Sequence, residues 1–113
     1  MHEFSIALNI LDIATAETEK AGARKVTRIE IEIGDASGVM LEALEFAMQS
    51  AIKNTVLEDA SIVFFQIESI LECNACHKQF KSDSTVAICP QCGELTMNVL
   101  SGRELKVKSI TVC

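Results

Sequence analysis

Four of the chain's five cysteines are gathered into two pairs: Cys73-Asn74-Ala75-Cys76, then twelve residues, then Cys89-Pro90-Gln91-Cys92-Gly93. Each Cys-x-x-Cys turn sets two thiolates on one side of a tight loop. Two such knuckles facing each other complete a tetrahedral four-sulfur site with Zn–S distances of ~2.3 Å. Pro90 fixes φ at one knuckle position, and Gly93 permits φ > 0 at another. With 113 residues, five Phe and neither Trp nor Tyr, the chain has a small, aliphatic core that a structural metal would reinforce.

Four protein ligands leave no open coordination position, so Zn²⁺ on Cys73, Cys76, Cys89 and Cys92 is expected to be structural rather than catalytic. A rubredoxin-like iron centre also uses Cys-Pro-x-Cys-Gly knuckles, but Phe80 is the only aromatic residue between Glu72 and Ser101. Neither pair opens a helix after a buried strand, which speaks against a thioredoxin-type redox couple. His77 reads as a solvated neighbour of the site, with a contact to the metal or a thiolate as the alternative. Cys113 reads as an exposed terminal thiol.

The rest of the chain is patterned differently. Phe4, Ala7, Leu8, Leu11 and Ala14 repeat at helical spacing, widened by Ile6, Ile10 and Ile13, which predicts a helix from Phe4 to Ala21 ended by Gly22. Ile29, Ile31 and Ile33 alternate with Arg28, Glu30 and Glu32, a strand over Val26–Ile33 with one wet face. Ser37 is a candidate N-cap for a second helix from Val39 to about Lys53, with Leu41, Leu44, Met48, Ala51 and Ile52 on one side. A second strand runs from Ser61 to Leu71, apolar on both sides in its first half, as a central strand would be. A third covers Arg103–Val112, with a slip of phase near Ser109 that suggests a bulge. The expected fold is therefore α+β: a small three-stranded sheet packed with two helices, plus an inserted four-cysteine zinc-ribbon-like module. Residues 1–71 and 102–113 form the discontinuous α/β domain, and 72–101 the zinc-binding module.

Composition narrows the function. Ten Lys and Arg against sixteen Asp and Glu leave a net charge of −6, a poor endowment for binding phosphate backbones. No nucleic-acid partner is expected. The longest stretch without a charged residue is the ten of Ser84–Gly93, far short of the ~20 a membrane-spanning helix needs. The start has no basic flank and meets Asp12 early, unlike a signal peptide. A soluble, cytoplasmic protein without a membrane partner is expected.

The first three residues, Met1-His2-Glu3, offer a different donor set. A free α-amine titrates near pH 7.7–8.0 and can lose its proton to a metal. The amine, the His2 backbone nitrogen and the His2 imidazole would close fused chelate rings around one ion. A fourth donor would come from the Glu3 backbone nitrogen or a carboxylate. Nitrogen-rich planar sites favour Ni(II) or Cu(II) over Zn(II) or Mg(II).

Taken together, the Met1-His2-Glu3-Phe4-Ser5 start, the paired-cysteine module and the αβαβ–zinc–β order resemble the hydrogenase nickel-incorporation proteins, the HypA/HybF family of accessory factors. Gly22-Ala23-Arg24-Lys25-Val26, Ile33-Gly34 and Gly102-Arg103-Glu104-Leu105 extend the resemblance over the whole chain. It implies a nickel metallochaperone for [NiFe]-hydrogenase maturation, with Ni²⁺ bound transiently at Met1, His2 and Glu3 and structural Zn²⁺ on the four clustered cysteines. It also implies a nickel-handling maturation GTPase as partner and the hydrogenase large-subunit precursor as recipient, some relatives serving urease. Self-association as a homodimer is left open.

Two other readings compete. A zinc-ribbon protein-interaction module without a nickel role would have its own partners in transcription or RNA processing; residues 72–101 carry a net charge of −1, which disfavours nucleic acid. A rubredoxin-like electron carrier would be coloured. An enzyme is not expected, since no nucleophile–base pair, phosphate loop or open catalytic metal set is present.

Overall fold

The computed structural model describes residues 3–113, so Met1 and His2 lie outside the described residues. In chain order the elements are α1 (Glu3–Lys20), β1 (Val26–Gly34), α2 (Leu41–Ala51), β2 (Ser61–Ile67), β3 (Ile70–Glu72), β4 (Gln79–Lys81), β5 (Ala87–Ile88), β6 (Leu95–Thr96), β7 (Val99–Ser101) and β8 (Leu105–Val112). They form two helices and a three-stranded sheet ordered β2-β1-β8, a second sheet ordered β4-β3-β7, and a β5-β6 ribbon. This is the expected α+β architecture. No described helix is long and apolar enough to cross a membrane.

The chain divides into two compact units. The first comprises the residues up to Ile31, Val39–Phe65 and Lys106–Cys113; the second comprises Glu32–Gly38 and Gln66–Leu105.

In the first unit α1 buries a narrower line than the sequence pattern suggests: Ala7, Ile10, Ala14 and Thr18. Phe4 and Leu8, expected on the packed face, are 53% and 41% exposed. The small Ala7 and Ala14 on either side of Ile10 favour close packing along that line. Thr18 is tolerated there because its hydroxyl donates to the Ala14 carbonyl at 2.7 Å. The helix ends in a Schellman pattern: Gly22, at φ 64, donates to Glu19, and Ala23 donates back to Thr18.

β1 is the central strand. It buries Val26, Ile29, Ile31 and Ile33, while Glu30 accepts hydrogen bonds from Ser109 Oγ at 2.6 Å and Arg28 Nη2 at 2.9 Å. Those two donors, Ser109 first, hold the Glu30 carboxyl below its usual value. The two apolar faces of β2 suit a central strand, but β2 is an edge strand. Ile62–Phe65 are only half-buried in consequence, and the Lys108 ammonium covers the Phe65 ring at 4.6 Å. In β8 the half-buried positions step from Val107 to Ile110 and Val112, the expected change of phase.

α2 begins later than expected. Its N-cap is Met40, at φ −85 and ψ 116, without a side-chain cap bond; Ser37 instead donates its backbone N–H to the Gly34 carbonyl in a turn. Leu44, Ala47 and Met48 face inward, joined by Leu57. The core of this unit is thus aliphatic. Burying side chains of this size contributes ~1.5–3 kcal/mol each.

The expected strand over Ser61–Leu71 is broken at Glu68-Ser69, so that β3 pairs with β4 and β7 within the second unit. This unit reaches beyond the 72–101 segment marked out by the cysteines. Asp35 N–H donates to Ile67, Ala36 N–H to Gly102, and Gly34 N–H to Glu104. The chain segments cross so closely that a Cβ on Gly34 would lie 1.9 Å from the Gly102 oxygen, and Gly102 sits at φ 107 against Ser69. Only glycine fits either position.

Candidate metal centre

Two turns of nearly identical construction carry the cysteines. In the first, Cys73 N–H donates to Lys78 O at 2.9 Å and His77 N–H to Cys73 O at 2.9 Å. In the second, Cys89 N–H donates to Glu94 O at 2.8 Å and Gly93 N–H to Cys89 O at 2.9 Å. The residue after each second cysteine takes a left-handed conformation, His77 at φ 63 and Gly93 at φ 80. β3 and β4 flank the first turn, paired Glu72↔Gln79 through Ile70↔Lys81. β5 and β6 flank the second, paired Ile88↔Leu95 and Ala87↔Thr96. Each knuckle therefore closes the end of a short antiparallel pair.

The four sulfurs converge. Cys73 Sγ lies 3.4 Å from Cys92 Sγ and Cys76 Sγ 3.6 Å from Cys89 Sγ, and all four sulfurs fall within 4.8 Å of one another. A tetrahedral ion with ~2.3 Å bonds to sulfur holds its ligands ~3.8 Å apart, so this cluster fits such an ion. Cys73 and Cys89 are buried, Cys76 half-buried and Cys92 exposed. Thiolate-only coordination of this kind suits zinc, for which the group acts as a closed structural set.

Backbone amides prepare the ligands for a cation. The Cys76 N–H, with that of Ala75, points at Cys73 and, against burial, brings its thiol down to about 6. The Cys92 and Gln91 amides likewise lower Cys89. The second cysteines behave oppositely. The Lys78 amide lowers Cys76, but burial and the Cys89 and Cys73 sulfurs outweigh it, and the thiol is raised. The Glu94 amide lowers Cys92, but the Cys73 sulfur, burial and the other two sulfurs push it up to about 12. Cys73 and Cys89 are thus eased toward the thiolate, whereas Cys76 and Cys92 keep protons that an arriving cation would displace.

His77 is exposed and is not among the four clustered ligands. Its place in the structure is conformational: it occupies in the first knuckle the position that glycine occupies in the second. The signal is present in the sequence, since each residue directly follows a Cys-x-x-Cys. Cys113 is exposed, with its backbone paired to Arg24 and Lys25.

Of the three amino-terminal residues singled out, Glu3 is described. It is the first residue of α1, half-buried, and its Oε2 accepts the Met40 backbone N–H at 3.3 Å. Glu3 thereby joins the first turn of α1 to the N-cap of α2, a link no local pattern in the sequence indicates. Met1 and His2 lie outside the described residues.

Comparison with known proteins follows the same lines. A family model described as "Hydrogenase/urease nickel incorporation, metallochaperone, hypA" matches residues 1–112. The chain is 44% identical over 112 residues to a hydrogenase maturation factor HypA of Chlorobium phaeobacteroides (strain BS1), covering 99% of each chain. It is 41% identical to the factor of the same name from Parabacteroides distasonis, covering 99% of this chain and 97% of that one. Among solved structures it is similar in fold to the Ni metallochaperone HypA from Helicobacter pylori, with TM-score 0.69, 23% identity, and coverage of 99% and 97%. A second HypA solution structure gives TM-score 0.71 at 23% identity, covering 100% of this chain and 97% of that one.

Proposed function

The chain belongs to the HypA family of hydrogenase/urease nickel-incorporation factors, and from that premise we propose that it binds Ni(II) at Met1, His2 and Glu3 and helps deliver the ion to the [NiFe]-hydrogenase large-subunit precursor. The observation that carries the reading is the Met1-His2-Glu3 start joined directly to α1, with the Glu3 carboxylate engaged by the Met40 N–H. The first amides of a helix have no acceptor within it, so giving one to a metal breaks no helical hydrogen bond. Amide and imidazole nitrogens select Ni(II) or Cu(II) over harder ions. A site at a chain end is also releasable, because an incoming ligand set peels away one strand of chain. Binding displaces protons and is therefore pH-dependent.

In this reading residues 1–71 and 102–113 are the nickel-binding domain, and 72–101 the zinc-binding module with Zn²⁺ resident on Cys73, Cys76, Cys89 and Cys92. The zinc is structural, and no catalytic chemistry is assigned to it. The setting is the cytoplasm, and the working partners are a nickel-handling maturation GTPase and the precursor. In cells whose own factor is deleted, the chain with His2→Ala should leave the precursor nickel-free in low-nickel medium. Excess nickel should restore loading by mass action. Full loading by the variant in low nickel would refute the reading.

A further inference from the structure

In the β5–β6 ribbon Ile88 sits directly opposite Leu95, and Ala87 opposite Thr96. Successive strand residues point to opposite faces, so the two pairs occupy different sides. Thr96 is fully buried and Ala87 half-buried, which makes theirs the inner side. Ile88 and Leu95 are on the outer side, each 61% exposed. The same alternation adds Val86 and Met97, one residue beyond each strand and 42% and 61% exposed. Four large apolar side chains thus share one face. Among the described residues no further strand pairs with this ribbon. A contiguous apolar face marks an interaction site, where scattered single residues would not.

The ribbon's own charges decide among occupants. From Ser82 to Gly102 the chain has no Lys or Arg, and its charged residues are Asp83 and Glu94. Glu94 directly precedes Leu95 at the knuckle end, and Asp83 lies three residues before Val86 at the open end. Both are exposed, and neither joins an ion pair among the described residues. Lys81, the nearest lysine before them, is held by the Glu68 carboxylate at 3.1 Å, while Lys78 belongs to the turn of the first knuckle. A second copy laid on this face would set acid against acid, and like charges across an interface are costly. An anionic lipid surface is repelled for the same reason, since it attracts basic flanks. We propose that the outer face of the β5–β6 ribbon docks an amphipathic segment of a partner protein whose apolar side chains are bordered by lysine or arginine.

The test uses the whole zinc-loaded chain, without nickel, and a short capped helical peptide with leucine on one side and lysine on the other. Binding is followed by amide and methyl shifts. The expected result is perturbation centred on residues 86–88 and 95–97. Leu95→Ser should weaken binding about tenfold, the scale of truncating a central contact, and Glu94→Lys about threefold, the scale of one exposed charge pair. Zinc content reports that the knuckles remain folded in each variant. Met97→Ser, outside the paired strand residues, repeats the test away from the knuckle. It alters no charge, so its loss of binding separates docking from general attraction of a cationic peptide to an acidic chain. Any of four results would overturn the proposal: no binding at millimolar peptide, equal binding of a leucine–glutamate peptide, full binding by Met97→Ser, or shifts mapped away from the ribbon. A concentration-dependent mass with the ribbon protected in the absence of peptide would assign the face to a second copy and overturn it also. Binding to anionic vesicles through the same residues would assign it to lipid, with the same consequence.

Discussion

The two compact units bury different things. The helical unit encloses Val26, Ile29, Ile31, Leu44, Met48 and Leu57, an aliphatic interior that any small α+β protein would recognise as a core. The cysteine-bearing unit encloses Cys73, Cys89, Ser69 and Thr96 with only Ile33 and Leu71 as large apolar residues, while Ile88, Leu95 and Met97 are each 61% exposed. Other apolar residues are available there, yet Ile88, Leu95 and Met97 lie outside, because strands of two or three residues offer no second layer to cover them. The centre is sulfur and hydrogen-bonded turn instead. A hydrophobic core and a metal cluster are alternative solutions to one problem, and this chain uses one in each unit.

That contrast breaks most sharply when the metal is removed. Chelation, or Cys89→Ser, should strip hydrogen-exchange protection from the strands of β3–β7, leaving only the local knuckle turns, while far-UV circular dichroism retains the helices. Structural zinc contributes on the order of 10 kcal/mol of apparent binding energy in small zinc domains. Retained protection in β3–β7 without metal would mean the second unit has a core of its own. The converse substitution is Leu44→Ala, which removes a fully buried side chain. It should lower the urea stability of the helical unit by ~2–5 kcal/mol while one zinc stays bound. Loss of zinc from that variant would show that the two units do not stand separately.

Proton release sharpens the same comparison. The Cys73 thiol, ordinarily at 9.0, is held at about 6 by amides of its own turn. A depressed value favours the ordered turn fully above pH 9, and that contribution is lost as pH falls through about 6. Cys92, raised to about 12, has the opposite sign: its contribution is complete below pH 9 and is lost as pH climbs through 12. At pH 7.5, zinc binding should therefore release fewer than four protons, and the number should rise as pH drops through 6. Calorimetry in buffers of different ionisation enthalpy counts them. Release of four at pH 7.5 would mean the metal-free turns are not prepared.

The smallest effect separates the two knuckles. A non-glycine residue at positive φ costs ~1–2 kcal/mol, and His77 bears that cost where Gly93 does not. His77→Gly should strengthen zinc retention by roughly 1 kcal/mol, and Gly93→Ala should weaken it by a similar amount. Nothing within 4 Å would obstruct the new Cβ at Gly93, so its effect is conformational alone. Weaker retention in His77→Gly would give the imidazole a part in holding the metal.

Much of this is legible in the sequence because the signals are local. The cysteine spacing, the 29-31-33 alternation of β1 and Gly22 at the end of α1 each depend on neighbours a few residues apart. What is not legible depends on distant contacts. Two apolar faces on Ser61–Leu71 suggest a central strand, but strand order is a property of the whole sheet. Ser37 has the right chemistry for a cap, yet the turn to Gly34 claims its backbone and the helix begins at Leu41. Phe4 and Leu8 match the helical period, but Ala7, Ile10, Ala14 and Thr18 form the buried line. The Glu3–Met40 bond joins residues 37 apart and has no local signature.

The central claim is that nickel is held by the chain's own beginning. The direct measurement is calorimetric Ni(II) titration of the zinc-loaded protein with its native start, beside His2→Ala and a form with one additional residue before Met1. One nickel on the native chain, and none at matching affinity on either variant, is the predicted result. Undiminished nickel binding by both variants would place the ion elsewhere and contradict the account.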